Sequence, residues 1–493
     1  MIGSMRRILT AAVAAAGLMS GVAAADGIDP ATGLRKLPYE VNDVAPRYAH
    51  VGDTLIRNVA VIDGLGNKPQ KNRDVLVQNG RIARIARGGT IPAPEGARVI
   101  DGEGHSLLPG LIDLHVHMDG VDRFAGSLVT DTRLMSDAYR YKTYLYGFLY
   151  AGVTTVLDAG TEPILGVGLK RLIEEGYVMG PRYFWSGPVY EGGIQPSVPA
   201  LIRNIAAVEH IDGMLDQLEY LDVDFVKLYR RTPAWMIERI SKAAHDRGMR
   251  VFIDAWERNN FSYITRVGRV DGYAHLNFHL RISDEDARVL AEHDNFVITT
   301  FYALNGFSGR IFEERPDYYD DPLIRDVLPP EYVELLKAES RTDPVGKVAD
   351  AVQHLVITPF QDIMGLEGKS RKETMREMSR IGGENTRKLL KAGVLVGAGT
   401  DGGQGESLLV ELELLVADAG VTPLEAIRIG THNGARILRK EKEFGSIQEG
   451  LLADLLIVKG DPSRDIRDLR NTAYVFKEGK IIDRQSLTRQ WAY

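Results

Sequence analysis

Between residues 107 and 445 the chain alternates two patterns eight times. A short apolar run comes first, and a stretch of helical periodicity follows it. The runs are LIDLHVH, TTVLDAG, RYFWSG, DFVKLY, RVFIDAW, GYAHLNF, FVITTF and VLVGAGTD. The helical stretches include SDAYRYKTYLYGFLYAG, AWMIERISKAAHDRG and SLLVELELLVADAG. Eight strands separated by helices predict an α/β chain folded as a TIM-like, parallel (β/α)8 barrel. Residues 51–106 and 446–493 read differently. TLIRNVAVIDG, RDVLVQNGRIARIA, LADLLIVKG and AYVFKEGKII alternate in the strand manner. They predict a small β-sandwich domain built from both chain ends.

The first residues read as a targeting segment. Arg6 and Arg7 precede the apolar stretch ILTAAVAAAGLMSGV, and Ala23-Ala24-Ala25 before Asp26 resembles a signal-peptidase site. The expectation is a signal peptide over 1–25, an extended arm over 26–50 and export, to the periplasm. No later segment has about 18 uninterrupted apolar residues, so no integral membrane span is expected. The formal net charge of −7 argues against a nucleic-acid partner, which needs a basic face. The chain has no cysteine, which excludes disulfides and thiolate metal sites.

In a barrel of this kind the chemistry sits where the strands end. His115 and His117 end the first run, Asp158 the second, Lys227 the fourth and Asp254 the fifth. His275 lies late in the sixth, and Asp401 ends the eighth. A single acid at a strand end is ordinarily a helix cap or a solvated loop residue. This many ionisable ends on one rim point to a site. His115 and His117 are two apart, so both face the barrel interior, where neutral imidazoles suit a divalent metal.

These residues carry a resemblance. The chain resembles the metal-dependent amidohydrolase superfamily, in its prolidase-type and imidazolonepropionase-related branch. LPGLIDLHVH is similar to the first-strand motif and AGVTTVLDAG to the second. DFVKLY carries a lysine where the branch has a carboxylated, metal-bridging one. YAHL supplies the sixth-strand histidine and GAGTD the eighth-strand aspartate, and THNGARIL with GSIQEGLLADLLIVKGDP is similar to the closing segments. The resemblance covers about residues 51–485. It implies a β-sandwich plus a barrel over 107–445, a hydrolytic metal centre and a homo-oligomer.

One position departs from the pattern. The fifth strand normally ends in a histidine ligand, and here it ends in Asp254. The nearest histidine, His245, lies in the preceding helix. Two readings compete. In the first, Asp254 is itself a ligand. The metal residues are then His115, His117, Lys227, Asp254, His275 and Asp401, with two zinc ions (or manganese) bridged by carboxylated Lys227. In the second, Lys227 stays an ammonium paired with Asp254, and one metal is held by His115, His117 and Asp401.

The resemblance implies amide (C–N) hydrolysis of a small molecule, such as an N-acyl amino acid or dipeptide, with Asp401 as the catalytic proton carrier. Tyr229 and Arg231 share a face with Lys227, so they, with Arg230, are candidates for binding substrate. Tyr190 and Trp256 are candidate walls, and His279 a further contact. The third-strand loop reads EGGIQP, with Ile194 where prolidase-type relatives often have a histidine, which weighs against a dipeptidase mode. A mononuclear deaminase, a lactonase or esterase and a non-catalytic binding protein are the alternatives. About ninety residues separate the last two strands. Within them GFSGRIFEERPDYYDD reads as a lid or a surface insertion, with DYYDD a solvated acidic turn rather than a second metal site.

Overall fold

Strands covered on both faces need no polar side, so their sequences read as continuous apolar runs. Leu111–Val116 and Val153–Asp158 are buried at every residue. The computed structural model describes residues 46–118, 138–193, 202–254, 261–307, 309–328, 368–402 and 405–488, with a few positions between 330 and 366. Residues 1–45, Ile194 and Trp256 lie outside the described residues.

All eight runs are strands. Leu111–Val116, Val153–Asp158 and Arg182–Trp185 form one parallel sheet. Phe225–Leu228, Arg250–Asp254, Gly272–Ala274, Phe296–Ile298 and Leu395–Gly397 pair in sequence order in a second, also parallel. Two short strands that the sequence did not announce, Val189–Gly192 and Ile202–Ile205, extend the edge of this second sheet. Backbone hydrogen bonds cross both gaps between the sheets. Asp224 N donates to Trp185 O at 2.8 Å and Leu114 N to Ala398 O at 3.0 Å, and Val116 makes a parallel bridge to Gly402. The three quoted helical stretches are helices Ala138–Tyr150, Ala234–Asp246 and Gly405–Ala417.

Side-chain alternation layers the interior. Phe225 and Lys227 share a face, as do Phe252 and Asp254. The rings of Phe225, Phe252 and Phe296 pack with centroids 5.6–6.3 Å apart. This aromatic layer lies one strand repeat, about 7 Å, below the ionisable one. Gly272 makes it possible: a Cβ there would stand 2.4 Å from the Phe296 ring.

The chain ends build a nine-stranded mixed sheet. Tyr48–His50, in the expected arm, pairs antiparallel with Lys480–Ile482, and His105–Pro109 pairs antiparallel with Leu455–Lys459. Ile56, Val59, Val75, Ile457 and Phe476 fill its core. Arg182, opening the third parallel strand, donates to Asp454 at 3.1 Å and Glu478 at 2.9 Å.

DYYDD is solvated only in part, with Asp317 and Asp320 exposed. Tyr318 and Tyr319 are buried, and Asp321 accepts from Arg315 at 3.2 Å and Arg470 at 2.6 Å while capping Leu323 N. The two rings thus sit in the core, while Asp321 lies on two arginines and Asp320 pairs with Lys337 at 2.7 Å. Among the described residues no helix is long and apolar enough to cross a membrane.

Candidate metal centre

On the first strand Asp113, His115 and His117 recur every second residue, so they point to one side. Asp113 is buried beneath the two histidines. Its carboxylate accepts from His115 N and Thr400 N, both at 3.1 Å, and from Thr400 Oγ1 at 2.8 Å. Asp113 therefore ties the first strand to the residue before Asp401. Burial pushes its carboxyl up to about 7, against these hydrogen bonds.

Above it three donor atoms converge. His115 Nε2 lies 3.3 Å from His117 Nε2 and 3.5 Å from Asp401 Oδ1, and His117 Nε2 lies 3.1 Å from the same oxygen. Donors bound to one ion at about 2.1 Å in tetrahedral directions stand about 3.4 Å apart. The triangle has the size an ion such as zinc requires. His117 Nδ1 donates to the Gly160 carbonyl at 2.9 Å, which aims Nε2 into the triangle. Asp158 holds that turn in place: it accepts from Gly160 N at 3.3 Å and from Tyr183 OH at 2.7 Å. The Nδ1 of His115 is buried with no hydrogen-bond partner among the described residues.

The other Asp401 oxygen faces the second flank. Oδ2 lies 4.0 Å from His275 Nε2, which lies 3.5 Å from Asp254 Oδ2. His275 Nδ1 pairs with Thr300 Oγ1 at 2.8 Å, leaving Nε2 for the site. His115, His275 and Asp401 each offer a ligand atom within 4.8 Å of the others. Asp254 is 4% exposed and faces His275. Asp254 is therefore not a solvated loop acid. His245 sits in helix Ala234–Asp246 and bonds Asp271 at 2.8 Å, away from the centre.

His275 (φ 67°) and Asp401 (φ 54°) both take the left-handed backbone conformation. Residues other than glycine rarely do so, and such strain clusters at functional sites.

Charge follows the geometry. Burial lowers His115 well below the ordinary histidine range, helped by Lys227 and its neighbouring imidazoles. Burial also acts to lower His117, but the hydrogen bond and charge of Asp401, with Asp158, outweigh it and raise the group to about 9. Without an ion a proton occupies the His117–Asp401 edge, and an ion would displace it. Lys227 is 2% exposed, and burial lowers it to about 8 against the pull of Asp254 and Asp401. Those carboxylates act through space; the Nζ lies 4.7 Å over the Phe252 ring.

The candidate substrate contacts separate. Tyr229 stands at the rim, raised by burial and by the Asp254 charge, and its N–H donates to Tyr190 O at 2.7 Å. Tyr190 is no wall of the site: it is buried on its short strand in register with Leu228, so it faces the packed helices rather than the interior that Lys227 faces. Arg231 is exposed, and its backbone N–H, not its guanidinium, reaches Glu191 at 2.8 Å. Arg230 is the half-buried arginine, with its guanidinium 5.3 Å from the Tyr229 ring centroid. His279 is buried, and burial with the Arg230 charge holds it down to about 3, so it is neutral. Asp113 and Thr300 escaped the sequence reading. Asp113 carried a signal, an acid inside an apolar strand like Asp254. Thr300 carried none, because a threonine at a strand end is ordinary.

The amidohydrolase family pattern matches residues 106–482, most of the chain. Adenine deaminase 2 of Shouchella clausii is 30% identical over 125 residues, 25% of this chain and 19% of that protein. Ochratoxinase of Aspergillus niger is 33% identical over 97 residues, 19% of this chain and 20% of that protein. The aligned segments thus span about a fifth of these two relatives. A crystal structure of a Xaa-Pro dipeptidase with bound methionine superposes with a TM-score of 0.63. Its identity to this chain is 21%, and the match covers 87% of this chain and 99% of that one.

Proposed function

We propose that this chain, which belongs to the amidohydrolase family, hydrolyses an amide C–N bond of a small molecule at a two-ion centre. The observation that carries the reading is the Asp401 carboxylate. One oxygen closes the His115–His117 triangle at 3.1 and 3.5 Å, and the other faces His275. His115, His117 and Asp401 would hold one ion, and Asp254 and His275 the other. Lys227, buried and with a lowered pKa, would bridge them as its carboxylated form. Zinc suits this nitrogen and oxygen set, and the extra carboxylate from Asp254 favours manganese as the alternative.

When bound, such ions polarise a carbonyl and make a nucleophile of water at neutral pH. The chain's part is to bind and to move a proton. Asp401, held by the Asp113–Thr400 anchor, takes the proton from the attacking water and delivers it to the leaving nitrogen. Tyr229 and neutral His279 offer hydrogen bonds at the rim, and Arg230 a charge for a substrate carboxylate. N-acyl amino acids and dipeptides are the substrate class this set suits, and lactones or esters fit the same chemistry.

A second reading has its own support. Lys227 Nζ over the Phe252 ring is a favourable place for an ammonium, and Asp254 is the largest charge acting on it. An ammonium there leaves one ion and a deaminase-like site. Metal content per chain separates the two. Two zinc or manganese ions after saturation in bicarbonate, with amide hydrolysis, support the first. One ion, with ammonia released from a heterocycle, supports the second and removes the first.

The bonds Asp224 N to Trp185 O and Leu114 N to Ala398 O support the two parallel sheets as one closed barrel, with the mixed sheet as a second domain. Arg6, Arg7 and the apolar stretch after them support export to the periplasm. A homo-oligomer rests on the family resemblance.

A further inference from the structure

Thr300, the partner of His275, sits in the turn that leaves the seventh parallel strand for helix Phe301–Phe307. Its φ is 155°, which a β-branched residue rarely adopts, so the turn needs holding from outside. Three anchors do this. Thr299 N donates to Gly397 O at 2.9 Å. Glu411 accepts from Thr299 Oγ1 with one oxygen and from Tyr302 N at 2.6 Å with the other. The hydroxyl of Tyr302 pairs with that of Tyr318 at 3.2 Å, and Tyr318 donates to Glu406.

Glu406 and Glu411 both lie on helix Gly405–Ala417, just after Asp401. Both are fully buried, at 1% and 0% exposure, and the bonds described for them reach no metal-site side chain. The Tyr302 ring edge also abuts Gly402, where a Cβ would stand 3.2 Å from Cε1. One helix thus braces the backbone on the His275 flank and beside Asp401. Buried carboxyls oppose stability, and well-packed apolar side chains would serve a core better.

We infer that Glu411 is a positioning residue for the metal centre, acting on His275 through the Thr299–Tyr302 turn, with Tyr318 and Glu406 bracing the same turn through the Tyr302 hydroxyl. The inference rests on the reading of His275 as a ligand. It predicts that Glu411 matters for the hydrogen bonds it accepts rather than for its bulk.

The test is zinc affinity by competition with a chromogenic chelator, run beside the melting midpoint of the metal-free protein. Zinc alone is the probe. Glu411→Leu should weaken zinc on the His275 flank by about 10–100-fold in protein still folded at the assay temperature, as loss of a ligand's supporting bond does, over and above the fall in midpoint from the unpaired Tyr302 N–H and Thr299 hydroxyl. Glu411→Gln keeps an acceptor for Tyr302 N–H and a donor for the Thr299 hydroxyl, and should stay within about threefold of wild type. Should the leucine variant fail to fold, Thr300→Val carries the test, with a similar loss that Thr300→Ser restores. Wild-type affinity in Glu411→Leu or Thr300→Val overturns the inference, as does an equal loss in Glu411→Gln. A wild-type chain that binds neither zinc nor manganese removes the metal reading itself, which is a different result.

Discussion

Glu406 offers a test in which one group can be isolated. Burial raises its carboxyl to about 8 from an ordinary 4.5, against the partial relief of Arg470 and Arg315. The folded chain therefore keeps this proton to about pH 8, while the unfolded chain releases it near 4.5. Between those values the folded state binds more protons, so stability falls as pH rises. The slope is about 1.4 kcal/mol per pH unit, and the whole window is worth on the order of 5 kcal/mol. Glu406→Gln keeps a neutral group of the same shape. Every other titrating residue is common to both proteins, so their difference reports Glu406 alone. Urea unfolding of the metal-free proteins should show the variant gaining on wild type by about 1.4 kcal/mol per unit from about pH 5 to pH 8. A difference that stays flat within about 0.5 kcal/mol over that range refutes the assignment of a protonated, buried Glu406.

Three other expectations follow from the geometry. On the two-ion proposal, Asp254→Asn removes one negative charge beside the second ion; against a divalent ion at about 4 Å and an effective dielectric of 20 this is about 8 kcal/mol, enough to empty that site. Elemental analysis should then find one ion where the proposal gives wild type two, and two tightly held ions in the variant would sink the assignment. Because His117 is raised to about 9, an ion must displace its proton at lower pH, so zinc affinity should weaken about tenfold per unit as pH falls below about 9 and level off above it. Chelator competition across that range checks the slope, and a flat profile contradicts it. Arg182→Ala leaves Asp454 buried without its arginine, and should lower stability by about 3 kcal/mol in thermal or urea unfolding, with the metal content unchanged. A shift below about 0.5 kcal/mol would mean the contact is idle.

The parallel strands were legible because burial on both faces removes polar residues from them, so an acid or histidine at a strand end stands out. His115, His117, Lys227, Asp254, His275 and Asp401 were visible for that reason. Val189–Gly192 and Ile202–Ile205 were not, since four-residue strands at a sheet edge carry no periodicity of their own. The arginine choice also lay beyond the sequence. Arg230 and Arg231 are neighbours in a turn, where strand alternation no longer says which points inward. DYYDD was legible in part. Asp317 and Asp320 are exposed as their charges suggest, but Arg315 and Arg470, the latter far along the chain, neutralise Asp321 beside a buried tyrosine pair. Only the tertiary pairing shows that.

The backbone at the centre has a bearing on how such a site diverges. His275 and Asp401 hold left-handed dihedrals, so few side chains can replace them without distorting the rim. Asp254 ends an ordinary strand, in register with Ala274 on the neighbouring one. That position imposes no such restriction. Among these three, it is where a lineage can exchange a nitrogen donor for an oxygen donor and retune the preferred ion while the rest of the cradle keeps its shape. The departure at Asp254 from the pattern this chain resembles thus falls, among these three, at the position whose backbone best accommodates it.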